Sequence, residues 1–159
     1  MKNTTLCYLE KDEMYLMLYR NKKKNDVNEG KWVGIGGKFE NRESPEECAQ
    51  REIYEETGLV TNDLSLRGII TFDNDIQETE YMFLFTSKNF TGKIKEICDE
   101  GTLAWISKKD VLTLNLWEGD KYFLELIRKD VPFFSMKLSY HKDKLIKVYQ
   151  NGKEIKIND

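Results

Sequence analysis

The sequence predicts an α+β fold, a mixed β-sheet held between helices. Three observations carry that prediction. Apolar, β-rich runs recur along the whole chain, one strongly capped helix interrupts them near residue 45, and a second amphipathic segment follows only near residue 120. Strands that outnumber helices, without strict alternation, fit a mixed sheet with helices on its faces.

Taken in order, "TTLCYLE" and "MYLMLYR" read as strands around a "KDE" turn, hence a hairpin. "NKKKNDVNEGK" is a polar loop, and the strand-like "WVGIGGKFE" ends where an acidic stretch begins. "LSLRGIITFD" and "TEYMFLFTS" are apolar enough for central strands, and "LAWIS" is a short one. "GDKYFLELIRK" sets Phe123, Leu124 and Ile127 at helical spacing. "FFSMKLSY" and "KLIKVYQNGK" read as two closing strands that either cover the functional site or complete the sheet; their alternation, which asks only for a half-buried hairpin, favours the second.

At 159 residues the chain is expected to form one domain, 1–159, with length enough for a real core. A net charge of −3 gives no reason to expect a basic, nucleic-acid-binding face. Cys7, Cys48 and Cys98 form no CxxC pair and leave one over, so no disulfide framework is expected. His141 is the sole histidine, which argues against a zinc site built on Cys and His. "MKNTTLCYLEKDEM" holds no apolar run long enough for a signal peptide or a membrane span. The expectation is a reduced, cytoplasmic protein, monomer or homodimer, with neither membrane nor nucleic acid as partner.

The capped helix carries the chemistry. Ser44 suits the N-cap, Pro45 the first helical position, and Glu47 closes a capping box; Gly58 supplies the stop, so the helix spans 45–57. Glu46 and Glu47 lie at the positive end of the dipole and stabilise the helix. Glu52, Glu55 and Glu56 differ. Their spacing puts them on one face of the last two turns, where the dipole disfavours each by about 0.3–1 kcal/mol. Arg51 can offset one of them, through Glu55 four residues on. Either this face is a solvated acidic one tolerated at small cost, or a cation covers it. Oxygen ligands without His or Cys suit Mg²⁺ or Mn²⁺, and the glycines of "GIGGK" allow close backbone approach and a carbonyl ligand.

These residues resemble the Nudix hydrolase signature. Gly37, Glu43, Arg51, Glu52, Ile53, Glu55, Glu56, Gly58 and Leu59 occupy its fixed places without departure. Most residue types occur at roughly one position in twenty, so this agreement is not a chance event. The resemblance implies a phosphoanhydride hydrolase on a Nudix fold. It makes Glu52, Glu55 and Glu56 metal ligands, joined by the Gly36 carbonyl, with Arg51 and Glu43 orienting them. It also implies that Glu100, in "CDEGTLAW", is similar to a further acid of MutT-type enzymes, a ligand or a base; otherwise it is a turn acid beside Gly101. The general base is Glu56 or Glu100.

"GKWVGIGGK" and "LWEGDKYF" resemble the MutT-type branch, which clears oxidised purine triphosphates such as 8-oxo-dGTP from the nucleotide pool in support of DNA repair. By that resemblance Gly36, Gly37 and Lys38 approach the substrate, Trp117 stacks on the base and Asp120 bonds its edge. The alternatives are core for Trp117 and a helix N-terminal acid for Asp120. Arg20, Lys22, Lys23 and Lys24 could steer a triphosphate or form a solvated loop. Two positions depart from the pattern. Val33 stands where some oxidised-purine enzymes carry a base-reading asparagine, and Gly119 where a second aspartate can occur, so either the base is read differently or the substrate is not an oxidised purine. An ADP-ribose hydrolase usually shows a proline about fifteen residues after the box, and the region around Asp73–Ile76 has none; the added motif of the coenzyme A branch is not found upstream of the box. Ile76 and Gln77 occupy the region of the dinucleoside polyphosphate tyrosine. A non-catalytic nucleotide sensor on this fold typically loses box glutamates, and all are kept here. The resulting expectation is a Mg²⁺-dependent nucleoside triphosphate pyrophosphohydrolase.

Overall fold

The computed structural model describes residues 1–157. In chain order the elements are β1 (Lys2–Lys11), β2 (Met14–Tyr19), β3 (Trp32–Val33), α1 (Pro45–Thr57), β4 (Val60–Thr61), β5 (Ser65–Asp73) and β6 (Glu80–Ser87). There follow β7 (Phe90–Thr91), β8 (Thr102–Ser107), α2 (Lys108–Val111), α3 (Asp120–Arg128), β9 (Phe134–His141), β10 (Lys144–Gln150) and β11 (Lys153–Ile155). The main sheet runs β11-β10-β9-β5-β6-β1-β2-β3, with β8 on the other edge of β2. It is mixed, because β1 pairs β6 in parallel and β5 pairs β9 in parallel, while the other pairs are antiparallel. β4 and β7 form a separate ribbon.

Side chains alternate faces along a strand, and β1 uses both. Cys7 and Leu9 pack in a cluster with Ala49 and Ile53 of α1, whereas Tyr8 packs with Phe123, Leu124 and Ile127 of α3. β2 repeats the pattern, with Leu16 and Leu18 on the α1 side and Tyr15 and Met17 on the α3 side. The sheet is therefore covered on both faces, the α/β/α sandwich that the patterning predicts. Among the described residues, no helix is long and apolar enough to cross a membrane.

Two elements differ from the sequence reading. "WVGIGGKFE" is not one strand: only Trp32–Val33 is regular, and beyond it the chain makes single bridges, Ile35 to Cys7 and Lys38 to Thr4. β1 and β2 pair at their hairpin end and then part, and residues 32–38 fill the gap between them. "KLIKVYQNGK" is two strands, because Asn151 and Gly152 both take positive φ and turn the chain from β10 into β11. The ribbon β4/β7 and the short helix α2 were not expected.

Candidate active site

α1 spans Pro45–Thr57, as its caps predict. The Ser44 side chain accepts the Glu47 N–H, the Glu47 carboxylate accepts the Ser44 N–H, and Gly58 closes the helix at φ 82°. That fixes the phase of its acidic face, and the three acids meet different surroundings. Glu55 is exposed, Glu52 half-buried beside Gly37, and Glu56 buried, 8% exposed. Burial first, then the charges of Glu52 and Glu100, push the Glu56 carboxyl up to about 8; Arg20 and the Gly36 N–H oppose the shift. Glu52 is raised too, again chiefly by burial. These acids crowd one another in a way the sequence spacing only suggests.

Arg51 does more than the i,i+4 pairing predicts. Its Nε and Nη2 grip both oxygens of Glu43 at 2.6 and 2.9 Å, Nη1 reaches Glu52 at 2.7 Å and Glu55 at 3.2 Å, and Nη2 also donates to the Lys38 carbonyl at 2.9 Å. Arg51 thus offsets two of the three acids, and Glu56 is the one it leaves. The bond from Arg51 holds the Glu43 carboxyl below the usual range.

The glycines bring the backbone to these acids. A β-carbon on Gly36 would lie 1.8 Å from the Thr5 carbonyl oxygen, and one on Gly37 would lie 2.5 Å from the Glu52 carboxyl carbon. At Gly36 the obstacle is backbone, so only glycine fits there; at Gly37 a side chain would displace the Glu52 carboxylate. Ile35 and Gly37 accept bonds from the Cys7 and Thr5 N–H groups, and among the described residues no donor reaches the Gly36 carbonyl between them. The Gly36 N–H points to Glu56 Oε2 at 3.3 Å.

Glu100 lies on the segment before β8, with Arg20 Nη2 at 3.0 Å and Lys23 Nζ at 2.8 Å. Lys22 donates to the Cys98 carbonyl at 2.9 Å, so the basic loop is partly tied down rather than wholly solvated. Among the described residues no three acidic, Cys or His side chains already form a cage for an ion. The donors gathered at this end are nonetheless carboxylate and carbonyl oxygens only, the chemistry of a hard divalent cation.

A cavity of about 280 Å³ runs from this glycine end to an aromatic one. Gly36, Gly37, Lys38 and Arg20 line the first; Trp117, Asp120, Phe72, Met82 and Val33 line the second. Trp117 is both core and cavity wall, packed edge-on against Phe72 and Tyr140 with Lys31 5.0 Å over its ring. Asp120 opens α3 and is 6% exposed; burial pushes its carboxyl up to about 8, against the pull of Lys31. At Gly119, where a second aspartate can occur, a β-carbon would lie 2.6 Å from Leu138 Cδ1 and 2.7 Å from Tyr140 Oη, and the Gly119 N–H donates to Tyr140 Oη at 2.7 Å. Phe72 and Met82 had no place in the sequence reading of the site, although the alternation along β5 and β6 was a usable signal for them.

The sequence model of the NUDIX domain matches residues 2–127, most of the chain and the whole of this cavity. The chain belongs to the Nudix hydrolase family. Among relatives, a Nudix hydrolase of Bacillus subtilis (strain 168), YvcI, is 32% identical over 133 residues, 81% of this chain and 80% of that protein. An oxidized purine nucleoside triphosphate hydrolase of Danio rerio is 35% identical over 113 residues, 70% of this chain and 71% of its own length. In structure, the Nudix chain is similar to a MutT protein of Bacillus halodurans, with a TM-score of 0.86 and 26% identity, over 95% of this chain and 98% of that one. It is a MutT-like Nudix enzyme, of a family that generally uses divalent metal ions and binds nucleotides.

Proposed function

We propose that the protein is a Mg²⁺-dependent nucleoside triphosphate pyrophosphohydrolase, acting in the cytoplasm on oxidised purine nucleotides such as 8-oxo-dGTP, and that the chain 1–159 is a single domain of this kind. Water and the triphosphate give a nucleoside monophosphate and pyrophosphate. The observation that carries the reading is the buried Glu56, set against the Gly36 N–H where Gly36 lines the cavity, crowded by the charges of Glu52 and Glu100 and left unpaired by Arg51. Glu52, Glu55, Glu56, Glu100 and the Gly36 carbonyl would hold Mg²⁺, or Mn²⁺ in its place. A bound divalent cation would neutralise phosphate charge and acidify a water.

The chain's own residues do the rest. Arg51 and Glu43 orient the carboxylates, which ligating acids need if they are to hold their positions. Arg20 and Lys38 line the path of the phosphates and add positive charge. Glu56 or Glu100 takes the proton of the attacking water. Trp117, edge-packed and rigid, offers a face for the purine, and Asp120 a polar group for its edge. The named activity of the Danio rerio relative supports the substrate class.

Equal concentrations of 8-oxo-dGTP, dGTP, dATP, ADP-ribose and a dinucleoside polyphosphate, assayed with Mg²⁺, test the substrate. The oxidised triphosphate should be preferred and yield pyrophosphate; preference for ADP-ribose would end the triphosphate reading. Glu56→Gln should keep its fold and lose roughly 10²–10⁴-fold in turnover.

A further inference from the structure

Asn28 lies in the loop between β2 and β3, which is closed by main-chain bonds from Arg20 N to Lys31 O at 2.9 Å and from Gly30 N to Arg20 O at 2.8 Å. Its Oδ1 accepts the Trp117 indole N–H at 2.8 Å. An indole nitrogen only donates, so the oxygen of the Asn28 amide must face Trp117 and the NH₂ group is turned away from it. Asn28 lines the cavity, as Trp117, Asp120 and Val33 do. No protein acceptor among the described residues takes its Nδ2, and that atom is not sealed in the core, where the unpaired side-chain atoms are Tyr8 Oη and Asn74 Nδ2.

Trp117 orients the side-chain amide of Asn28, and Asp26 holds the backbone that carries it. Asp26 Oδ1 accepts the Asn28 N–H at 3.2 Å, and Asp26 Oδ2 is gripped by Arg20 at 2.8 Å, which in turn pairs with Glu100. A donor whose direction is set by a protein hydrogen bond has less freedom to lose when a ligand arrives, the condition under which one hydrogen bond discriminates well. Val33, across the same end of the cavity, has no polar group to offer.

We propose that Asn28 determines base specificity: its Nδ2 donates a hydrogen bond to a carbonyl oxygen on the edge of an oxopurine. This rests on the reading that the base lies against Trp117. A carbonyl satisfies the donor, whereas an exocyclic amino group would meet it donor to donor and leave both unpaired. The site then sorts oxopurines from aminopurines by hydrogen-bond polarity. Size plays little part, since the two differ there by one atom of similar radius.

Asn28→Asp keeps an oxygen for the Trp117 indole and replaces the donor by an acceptor; Asn28→Ala removes both groups. Two readouts apply to each variant, with melting temperature as the check on folding. The first is equilibrium binding of guanine and adenine nucleoside monophosphates and their 8-oxo forms, without divalent cation, by tryptophan fluorescence. The second is kcat and KM for the matching triphosphates. The wild type should favour the oxo bases. In both variants that preference should shrink by about 3- to 10-fold, the weight of one neutral hydrogen bond, and the change should appear in KM more than in kcat. A loss that follows the 6-oxo or the 8-oxo group identifies the carbonyl. If both variants keep the wild-type ranking of bases while Trp117→Ala weakens nucleotide binding, the role of Asn28 is overturned alone. If Trp117→Ala also leaves binding unchanged, the placement of the base fails with it.

Discussion

Asp120 is a carboxyl group that folding moves out of water, and its proton follows. Its pKa rises from an ordinary 3.8 to about 8 because it is buried, with Lys31 opposing. Between these values the native state holds a proton that the unfolded chain has released. Stability from this group is therefore complete below about pH 4 and is lost as pH rises toward 8, the reverse of a salt-bridged aspartate. Asp120→Asn should flatten that decline. Denaturant unfolding of both proteins at about pH 5 and about pH 8 should show the wild type losing on the order of 2 kcal/mol more than the variant. Equal losses would mean that the carboxyl ionises freely, which would place it in water and away from the base. Because Glu56 is present in both proteins, its own raised pKa cancels in the comparison.

α1 shows how local chemistry sets the position of a distant carboxylate. Its start, length and stop were legible because capping box and glycine cap act over a few residues, and the same spacing gave the acidic face. Ser44→Ala should cost about 1 kcal/mol in unfolding experiments, by freeing the Glu47 N–H. A neutral result would show that helix ends are held by packing instead. The depth of each acid was not legible. Whether Glu55 or Glu56 is buried depends on how α1 rests on β1 and on the glycine segment 34–38, and that contact joins residues far apart in sequence. The irregular course of 32–38 was hidden for a similar reason. Its alternation reads as a strand, but β1 and β2 diverge around it, and only the register shows the wedge.

At the scale of the molecule, the aromatic end is assembled from elements that no local pattern links. Trp117 precedes α3, Phe72 ends β5, and Tyr140 arrives on β9, the strand that the C-terminal segment adds in parallel to β5. That segment was expected only to complete the sheet. It does so, and it also backs the cavity, with the Tyr140 ring stacked 4.8 Å from Phe72 and its hydroxyl on the Gly119 N–H. Tyr140→Phe leaves that buried N–H without a partner and should lower stability by about 1–3 kcal/mol, with a rise in KM from the loosened Trp117. Unchanged unfolding and kinetics would return the hairpin to a purely architectural role.

Both ends of the cavity matter only if a cation covers the acids at one of them. Binding of Mn²⁺ to the purified protein, followed by electron paramagnetic resonance and competed with Mg²⁺, tests this most directly. The wild type should bind the ion and Glu56→Gln should bind it at least 10-fold more weakly, with Mg²⁺ displacing it. No binding to the wild type, with or without nucleotide, would contradict the account.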